Sequence, residues 1–450
     1  MSQTPTPAQL TEALLDAARK AGSEAADAIV IEGTSVSVDV RGGTLEHAER
    51  AEGMDLGLRV LIGRRQACVS SSDARPETLA NMAERAVAMA REAPEDPWAG
   101  LADPAQLSPW RDGAGLELHD PAPEPDPAML QDDACRAEAA ALAVNGISQI
   151  DVSSASYGRR VVHLAASNGF SGGYLRSSRS IACVAITGSG TGMERDWASE
   201  GRIFQADLPS AESVGTQAGE RAAARAGARK PPSGTFPVLY DERVAASLIG
   251  HLVSAINGTA IARGSSWLRD ALGQQILPDA LSLIEDPHRQ RVSGSRPFDA
   301  EGLATARRLF VENGVLQGWV LDLATARKLG LQSTANASRG PSAPPSPSLS
   351  NLALTQGSRT RNELLREMGT GLLVTSLIGA TINPTTGDYS RGASGFWVEG
   401  GEIRYPVNEC TIAGNLREML LRITPANDAR AHLSTVVPSL LVEGLTLAGA

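Results

Sequence analysis

Leu248-Ile249-Gly250-His251-Leu252-Val253-Ser254-Ala255-Ile256-Asn257-Gly258 has the apolar spacing of a helix and holds a single histidine and no acid. A helical zinc site of the HExxxH type needs two imidazoles to bind the metal and a glutamate between them to take a proton from metal-bound water. Of those three side chains only His251 is present. A lone histidine on a helix is read first as a packing or hydrogen-bonding group.

Working outward, residues 236–240 read as a short buried strand and residues 242–257 as the helix that follows it. Glycine-bounded hairpins come next. Residues 309–311 turn through Glu312-Asn313-Gly314 and return over 315–321, and residues 395–399 turn through Gly400-Gly401 and return over 402–406. The second half is therefore expected to be dominated by antiparallel sheet. Within it, residues 334–357 carry four prolines among serines and have the composition of a mobile loop.

Upstream, the tandem prolines and glycine of Lys230-Pro231-Pro232-Ser233-Gly234 end a helix and mark a boundary, giving domains 1–232 and 233–450. The first domain begins with a helix over 7–21. Strands then follow near 26–31, from 34 to 40, over 54–62 and over 66–71, as an antiparallel meander. A helix over 76–91 covers that sheet, and proline-rich residues 93–127 connect. A second round follows: a helix over 128–144, strands near 150–156, 161–167 and 177–189, and a helix over 210–226. The matching order of elements hints at an internal repeat. The fold class expected is α+β in two domains, the first a mixed helix and antiparallel sheet unit.

With 42% hydrophobic and 20% charged residues over 450 positions, the chain can bury a sizeable core in each domain. A net charge of -10 argues against a broad nucleic-acid surface, which needs a basic footprint. Cys68, Cys135, Cys183 and Cys410 lie far apart without a CxxC pair, so neither a disulfide framework nor a structural zinc site is expected, and a reducing cytoplasm fits. Residues 1–10 are polar with no apolar core of a signal peptide. Apolar runs such as 371–382 are too short to span a bilayer, so neither export nor a membrane anchor is expected.

Other chemistry has little support. A serine hydrolase using His251 or His432 as base lacks a GxSxG elbow, because Gly392-Ala393-Ser394-Gly395 has the wrong spacing. The acidic pairs Asp132-Asp133 and Glu285-Asp286 read as solvated edges or helix starts. Residues 187–192 are glycine-rich but lack the lysine of a phosphate loop. Asp388-Tyr389-Ser390-Arg391 is the better candidate for a peptide cleft, with a charge pair, a phenol and a hydroxyl before Gly392. An extended peptide would lie there along an exposed strand edge. The competing interpretation is a tight hairpin in which Asp388 pairs with Arg391.

Several strings together resemble the TldD/PmbA metallopeptidase family, more specifically its PmbA (TldE) branch. They are residues 248–258, Asp270 to Asp279, Pro297-Phe298-Asp299-Ala300-Glu301-Gly302, Ala326-Arg327-Lys328-Leu329-Gly330, Gly387 to Trp397, Tyr405-Pro406-Val407 and Thr411-Ile412-Ala413-Gly414-Asn415. The resemblance implies a C-terminal domain built on a barrel-like, mostly antiparallel sheet. It also implies a complex in which a TldD-like partner carries HExxxH and a distal cysteine as zinc ligands. With Arg263 fixing the register, the first histidine position falls on Gly250, the glutamate on His251 and the second histidine on Ala255. Shifting the frame to start at His251 places Leu252 and Ile256 in the other two roles. No cysteine follows Cys410, which precedes the 411–415 string.

The function expected is therefore that of a metal-free subunit of a TldD/PmbA-type peptidase complex acting on extended peptides. No cofactor is expected on this chain, and zinc and the general base come from the partner. The alternative is a stand-alone peptide-binding protein, homodimeric, without a proteolytic role. Neither nucleic acid nor membrane is an expected partner.

Overall fold

The computed structural model describes residues 5–450; residues 1–4 of the polar N-terminal run lie outside the described residues. In α1 (Pro7–Ala21), Thr6 and Gln9 form a capping box, Pro7 opens the first turn, and Gly22 in the left-handed region ends the helix. Strands β1 (Ala25–Arg41), β2 (Thr44–Ile62) and β3 (Arg65–Ser71) form the meander, followed by α2 (Pro76–Glu92). The second round is α3 (Pro127–Leu142), β4 (Ile147–Ala166), β5 (Ser171–Thr187), β6 (Glu194–Arg202) and α4 (Ala211–Ala223). The two strands expected near 150–156 and 161–167 are one. Val152 to Ala165 pairs without a break against β5, so the polar Gly158-Arg159-Arg160 interrupts the apolar pattern but not the ladder.

All six strands form one sheet in the order β3-β2-β1-β4-β5-β6, with β1 and β4 antiparallel at its centre. Each half of the sheet thus repeats the order helix, three strands, helix, as the element order hinted. Even-numbered residues of β1 face the helices. Ala26, Ala28 and Val30 pack under α1 and α2, while Val36, Val38 and Val40 pack under α3 and α4.

The second region opens with β7 (Gly234–Tyr240), α5 (Glu242–Ala255) and α6 (Gly258–Arg263). Short strands β8 (Leu283–Glu285), β9 (Arg308–Glu312) and β10 (Val315–Leu316) lead to α7 (Leu323–Leu329), and β11 (Ala337–Ser338), β12 (Ser346–Pro347) and β13 (Leu352–Leu354) to α8 (Arg361–Met368). Then come β14 (Gly371–Ile382), β15 (Asp388–Glu399), β16 (Glu402–Asn415), α9 (Leu416–Leu421), β17 (Ile423–Pro425), β18 (Thr435–Val436) and β19 (Leu440–Ala448). Strands β16-β15-β14-β7-β19 lie side by side, and β16 also pairs with β19. That closes a five-stranded barrel. Alternation sorts its residues: Val238, Tyr240, Leu372, Val374, Leu440 and Val442 face the interior core shared with α5, whereas Leu239, Leu373 and Leu441 face α8 outside. The barrel is mostly antiparallel, with β7 and β14 parallel.

Residues 334–357, whose composition is that of a mobile loop, are instead pinned. The buried Glu285 carboxylate accepts from Asn336 Nδ2 at 2.8 Å and from the Ser350 amide at 2.7 Å, and Asp299 accepts from the Ala337 amide at 3.0 Å. Proline and serine content describes local flexibility; two buried carboxylates from elsewhere in the chain override it. Glu285 is consequently no solvated edge.

Two buried ionic clusters join the sheet to the barrel region. In the first, Asp27 of β1 binds Arg59 (Nη2 at 2.5 Å) and Arg339. Burial alone would raise the Asp27 carboxyl, but Arg339 and Arg59 outweigh it and hold it below its ordinary range. In the second, Asp196 of β6 binds Arg243 at 3.0 Å and Arg225 at 3.4 Å, Arg243 also binds Asp241 at 3.1 Å, and Asp241 binds Arg361 at 2.7 Å. Replacing Asp27 by Ala strands two buried guanidinium groups and is expected to cost about 3–5 kcal/mol in urea unfolding at pH 7. Because the Asp27 pKa is depressed on folding, this contribution is present above about pH 4, the unfolded value, and is lost as pH falls through the folded one. The gap between wild type and Asp27→Ala should therefore narrow at acid pH.

Candidate functional site

Helix α5 starts where Asp241 caps it, accepting from the Arg243 amide at 3.3 Å. Its buried face is Ala245, Leu248, Ile249, Leu252 and Ala255. Gly250 points the other way: a Cβ built on it meets nothing within 4 Å, and it borders a cavity of about 340 Å³ shared with Val253, Ser254 and Leu349. Ala255 is 4% exposed and packed in the core. Neither of the two positions matched to metal ligands therefore carries a donor side chain.

His251 lies between them and faces the barrel. Its ring meets Tyr389 edge-on, with centroids 5.8 Å apart at 71°. The Tyr240 hydroxyl donates to the Tyr389 hydroxyl at 3.3 Å. Arg391, two residues beyond Tyr389 on the same face of β15, donates to Gly379 O at 2.7 Å and to Ser247 Oγ at 3.4 Å. Ser247 is one helical turn before His251. The His251 Nε2 atom is buried without a hydrogen-bond partner. Burial first, and the Arg391 charge second, push its pKa down, so the ring is neutral at pH 7. Burial likewise raises both phenols, Tyr240 well above its ordinary value.

These residues do not fit zinc. A structural or catalytic zinc takes three or four N, S or carboxylate donors, whereas this cluster offers one imidazole, two protonated phenols and a guanidinium cation. Among the described residues no group of three or more His, Cys, Asp or Glu is placed to hold a metal ion. Cys410 lines the same barrel interior, but its thiol donates to Ala393 O at 3.1 Å and burial pushes its pKa up to about 11.

The peptide-cleft candidates do not form one surface. Asp388 and Arg391 are not paired, because alternation along β15 puts them on opposite faces. Asp388 accepts instead from Thr386 Oγ1 at 2.6 Å and Asn415 Nδ2 at 3.0 Å. Tyr389 is buried and Ser390 half-buried. Nor is this stretch an edge: Tyr389 pairs with Ile382 of β14 and Gly414 of β16, and Ser390 with Thr381 and Ala413. The position of β15 between β14 and β16 leaves no free edge there for a peptide to add to. Only Tyr389 and Arg391 join His251. Tyr240 and Ser247 complete the cluster with no motif to mark them.

The serine-hydrolase alternative finds no geometry. Neither His251 nor His432 hydrogen-bonds to a serine among the described residues. His432 lies 3.4 Å from Glu200, and Ser394 accepts from buried Arg225 at 2.8 Å. No helix among the described residues is long and apolar enough to cross a membrane.

A duplicated helix and sheet unit followed by a closed barrel carrying such a helix is the architecture that the comparisons with known proteins match. Sequence models of the PmbA/TldA metallopeptidase domain 1, central domain and C-terminal domain match residues 26–90, 120–229 and 233–449. Metalloprotease PmbA of Escherichia coli O157:H7 is 38% identical over 95% of this chain and 93% of its own length. The chain belongs to the PmbA/TldD metallopeptidase family, on its PmbA (TldE) branch. A solved protein from Bacteroides thetaiotaomicron, described as a candidate modulator of DNA gyrase, superposes with a TM-score of 0.90 at 27% identity, covering 98% of both chains. TldE from Thermococcus kodakarensis shares the fold, with a TM-score of 0.84 at 19% identity over 98% of this chain and 100% of that one. Buchnera aphidicola of Acyrthosiphon pisum has both a metalloprotease PmbA homolog, 40% identical over 47% of this chain and 46% of its own length, and a metalloprotease TldD homolog, 24% identical over 44% and 41%.

Titration of His251 by NMR, assigned by its loss in His251→Gln, is expected to give a pKa below the ordinary 6.5. Removing Arg391 as Arg391→Gln should move it upward. A value at or above 6.5 in the native chain would contradict the burial and cationic neighbour described.

Proposed function

We propose that the chain is the metal-free subunit of a PmbA/TldD-type peptidase complex, with zinc and the general base supplied by a TldD-like partner. The observation that carries this is the α5 cluster. Both positions matched to ligands are side-chain-free or apolar, and the single imidazole between them faces a cation rather than a carboxylate. The presence in one Buchnera strain of both a PmbA and a TldD homolog supports a paired arrangement.

In this role residues 1–232 serve assembly and the substrate path, and residues 233–450 keep a peptidase-like barrel that shapes the complex. The polar cluster of His251, Tyr389, Tyr240 and Arg391 then contributes hydrogen bonding and packing, with no bond-breaking step. The substrate is an extended peptide, and the location is the cytoplasm, in keeping with four unbridged cysteines.

Metal analysis and peptidase assays on the purified chain, alone and mixed with a TldD-like chain, test this. Expected are zinc well below one per chain and no hydrolysis alone, with activity appearing only in the mixture. His251→Ala should leave the zinc content unchanged. Stoichiometric zinc with full activity in the isolated chain would overturn the proposal, and a self-dimer indifferent to the TldD-like chain would favour a stand-alone binding protein.

A further inference from the structure

The face of the N-terminal sheet turned away from its helices carries a trough that the α5 cluster does not explain. Near the barrel region this face is apolar, with Ile29 and Leu164 against Phe298. Two registers further out, a row across the sheet reads Gly53, Gly33, Arg160 and Arg176, and the next row reads Ala51, Ser35, Gly158 and Ser178. The floor of the second row has no side chain larger than a hydroxymethyl. Above these rows is a cavity of about 570 Å³. A second, of about 210 Å³, shares Ile31, Arg160 and Arg176 with it and continues to Arg296 at the junction with the barrel region.

The charge of this trough opposes that of the chain, whose net value is -10. Arg160 is exposed and makes no hydrogen bond or ion pair with any described residue. Arg176 is held in place, with Nη1 donating to Ser293 O at 2.6 Å and its guanidinium 4.8 Å above the Tyr174 ring. Arg296 donates to Ala337 O at 2.9 Å and Ser348 O at 3.0 Å, leaving Nε buried without a partner. Two carboxylates, Asp55 and Glu52, also line the larger cavity against Arg159, Arg160 and Arg176, and Glu52 is paired with Arg50 at 2.6 Å. Placed arginines over a glycine floor suit a polypeptide main chain lying close to the sheet with carboxylates spaced along it.

We infer that this trough binds an extended acidic segment of polypeptide, its main chain over Gly33, Gly53 and Gly158 and its carboxylates on Arg160 and Arg176. This rests on the proposed role in peptide handling and names the class of peptide. A nucleic acid is the less suited polyanion, because the floor rows offer no aromatic ring for base stacking.

The test is fluorescence anisotropy with the full chain alone and three labelled peptides of equal length, rich in glutamate, glutamine or lysine, beside a single-stranded oligonucleotide. The glutamate peptide is expected to bind most tightly and to weaken as salt rises. Arg160→Glu removes the free cation. Gly53→Phe fills the trough at a site where an added Cβ meets nothing within 4 Å. Each is expected to weaken binding about tenfold or more, with unchanged circular dichroism, while His251→Ala leaves it unaltered. Equal binding of the glutamine peptide, insensitivity to both trough variants, or tighter binding of the oligonucleotide would overturn the inference. Since no partner or hydrolysis enters the measurement, its failure leaves the metal-free subunit role standing, and the reverse holds too.

Discussion

Pairing of Thr411, Ile412 and Ala413 with Ala448, Leu447 and Thr446 joins the first and last strands of a row and turns it into a closed barrel. That closure encloses the interior of the second half. It gives the interior residues of β7, β14 and β19 a common core with α5, and it leaves Leu239, Leu373 and Leu441 to bury α8 on the outside. The glycine-flanked segment 388–391, which reads as an open peptide platform, is an internal strand for a simpler reason: β15 lies between β14 and β16, and Tyr389 and Ser390 pair with both.

Within that enclosure α5 keeps its place for reasons unrelated to metal. Leu248, Ile249 and Leu252 are each fully buried, and three such side chains contribute several kcal/mol of apolar burial on the order of 1.5–3 kcal/mol each. Packing of this size holds the helix in place without any contribution from its polar positions. The polar residues beside it are satisfied in other ways: Arg391 by Gly379 O and Ser247, and Tyr389 by Tyr240. His251 is the exception, neutral and with a buried nitrogen unpartnered.

The two halves are held by charge as much as by apolar contact. Asp196 reaches Arg243 at the start of α5, whose partner Asp241 caps that same helix. A contact between the N-terminal sheet and the barrel region is therefore also a contact with the first turn of the site helix. Asp27, at the other end of the sheet, draws in Arg339 from residues 334–357. These buried pairs cost desolvation, and what they supply is a fixed geometry between elements that the apolar cores alone would leave free to slide.

Much of this was legible in the sequence. Helix and strand periodicities placed α1, α2, α5 and the β15–β16 hairpin of the barrel, because they follow from which face each element buries, whereas the return expected over 315–321 is strand only at Val315–Leu316. That neither Gly250 nor Ala255 carries a metal-binding side chain could be read directly from the residue types. What the sequence could not carry was proximity. That Tyr240, Ser247 and Arg391 converge on His251 depends on β14 pairing with both β7 and β15, which brings β7, α5 and β15 together, and no local pattern encodes contacts between residues some 150 positions apart. Composition likewise made residues 334–357 a loose loop until Glu285 and Asp299 were found holding it. Local residue chemistry determined the elements and the absence of a metal motif; only tertiary structure, through long-range pairing and buried charge, decided which side chains meet.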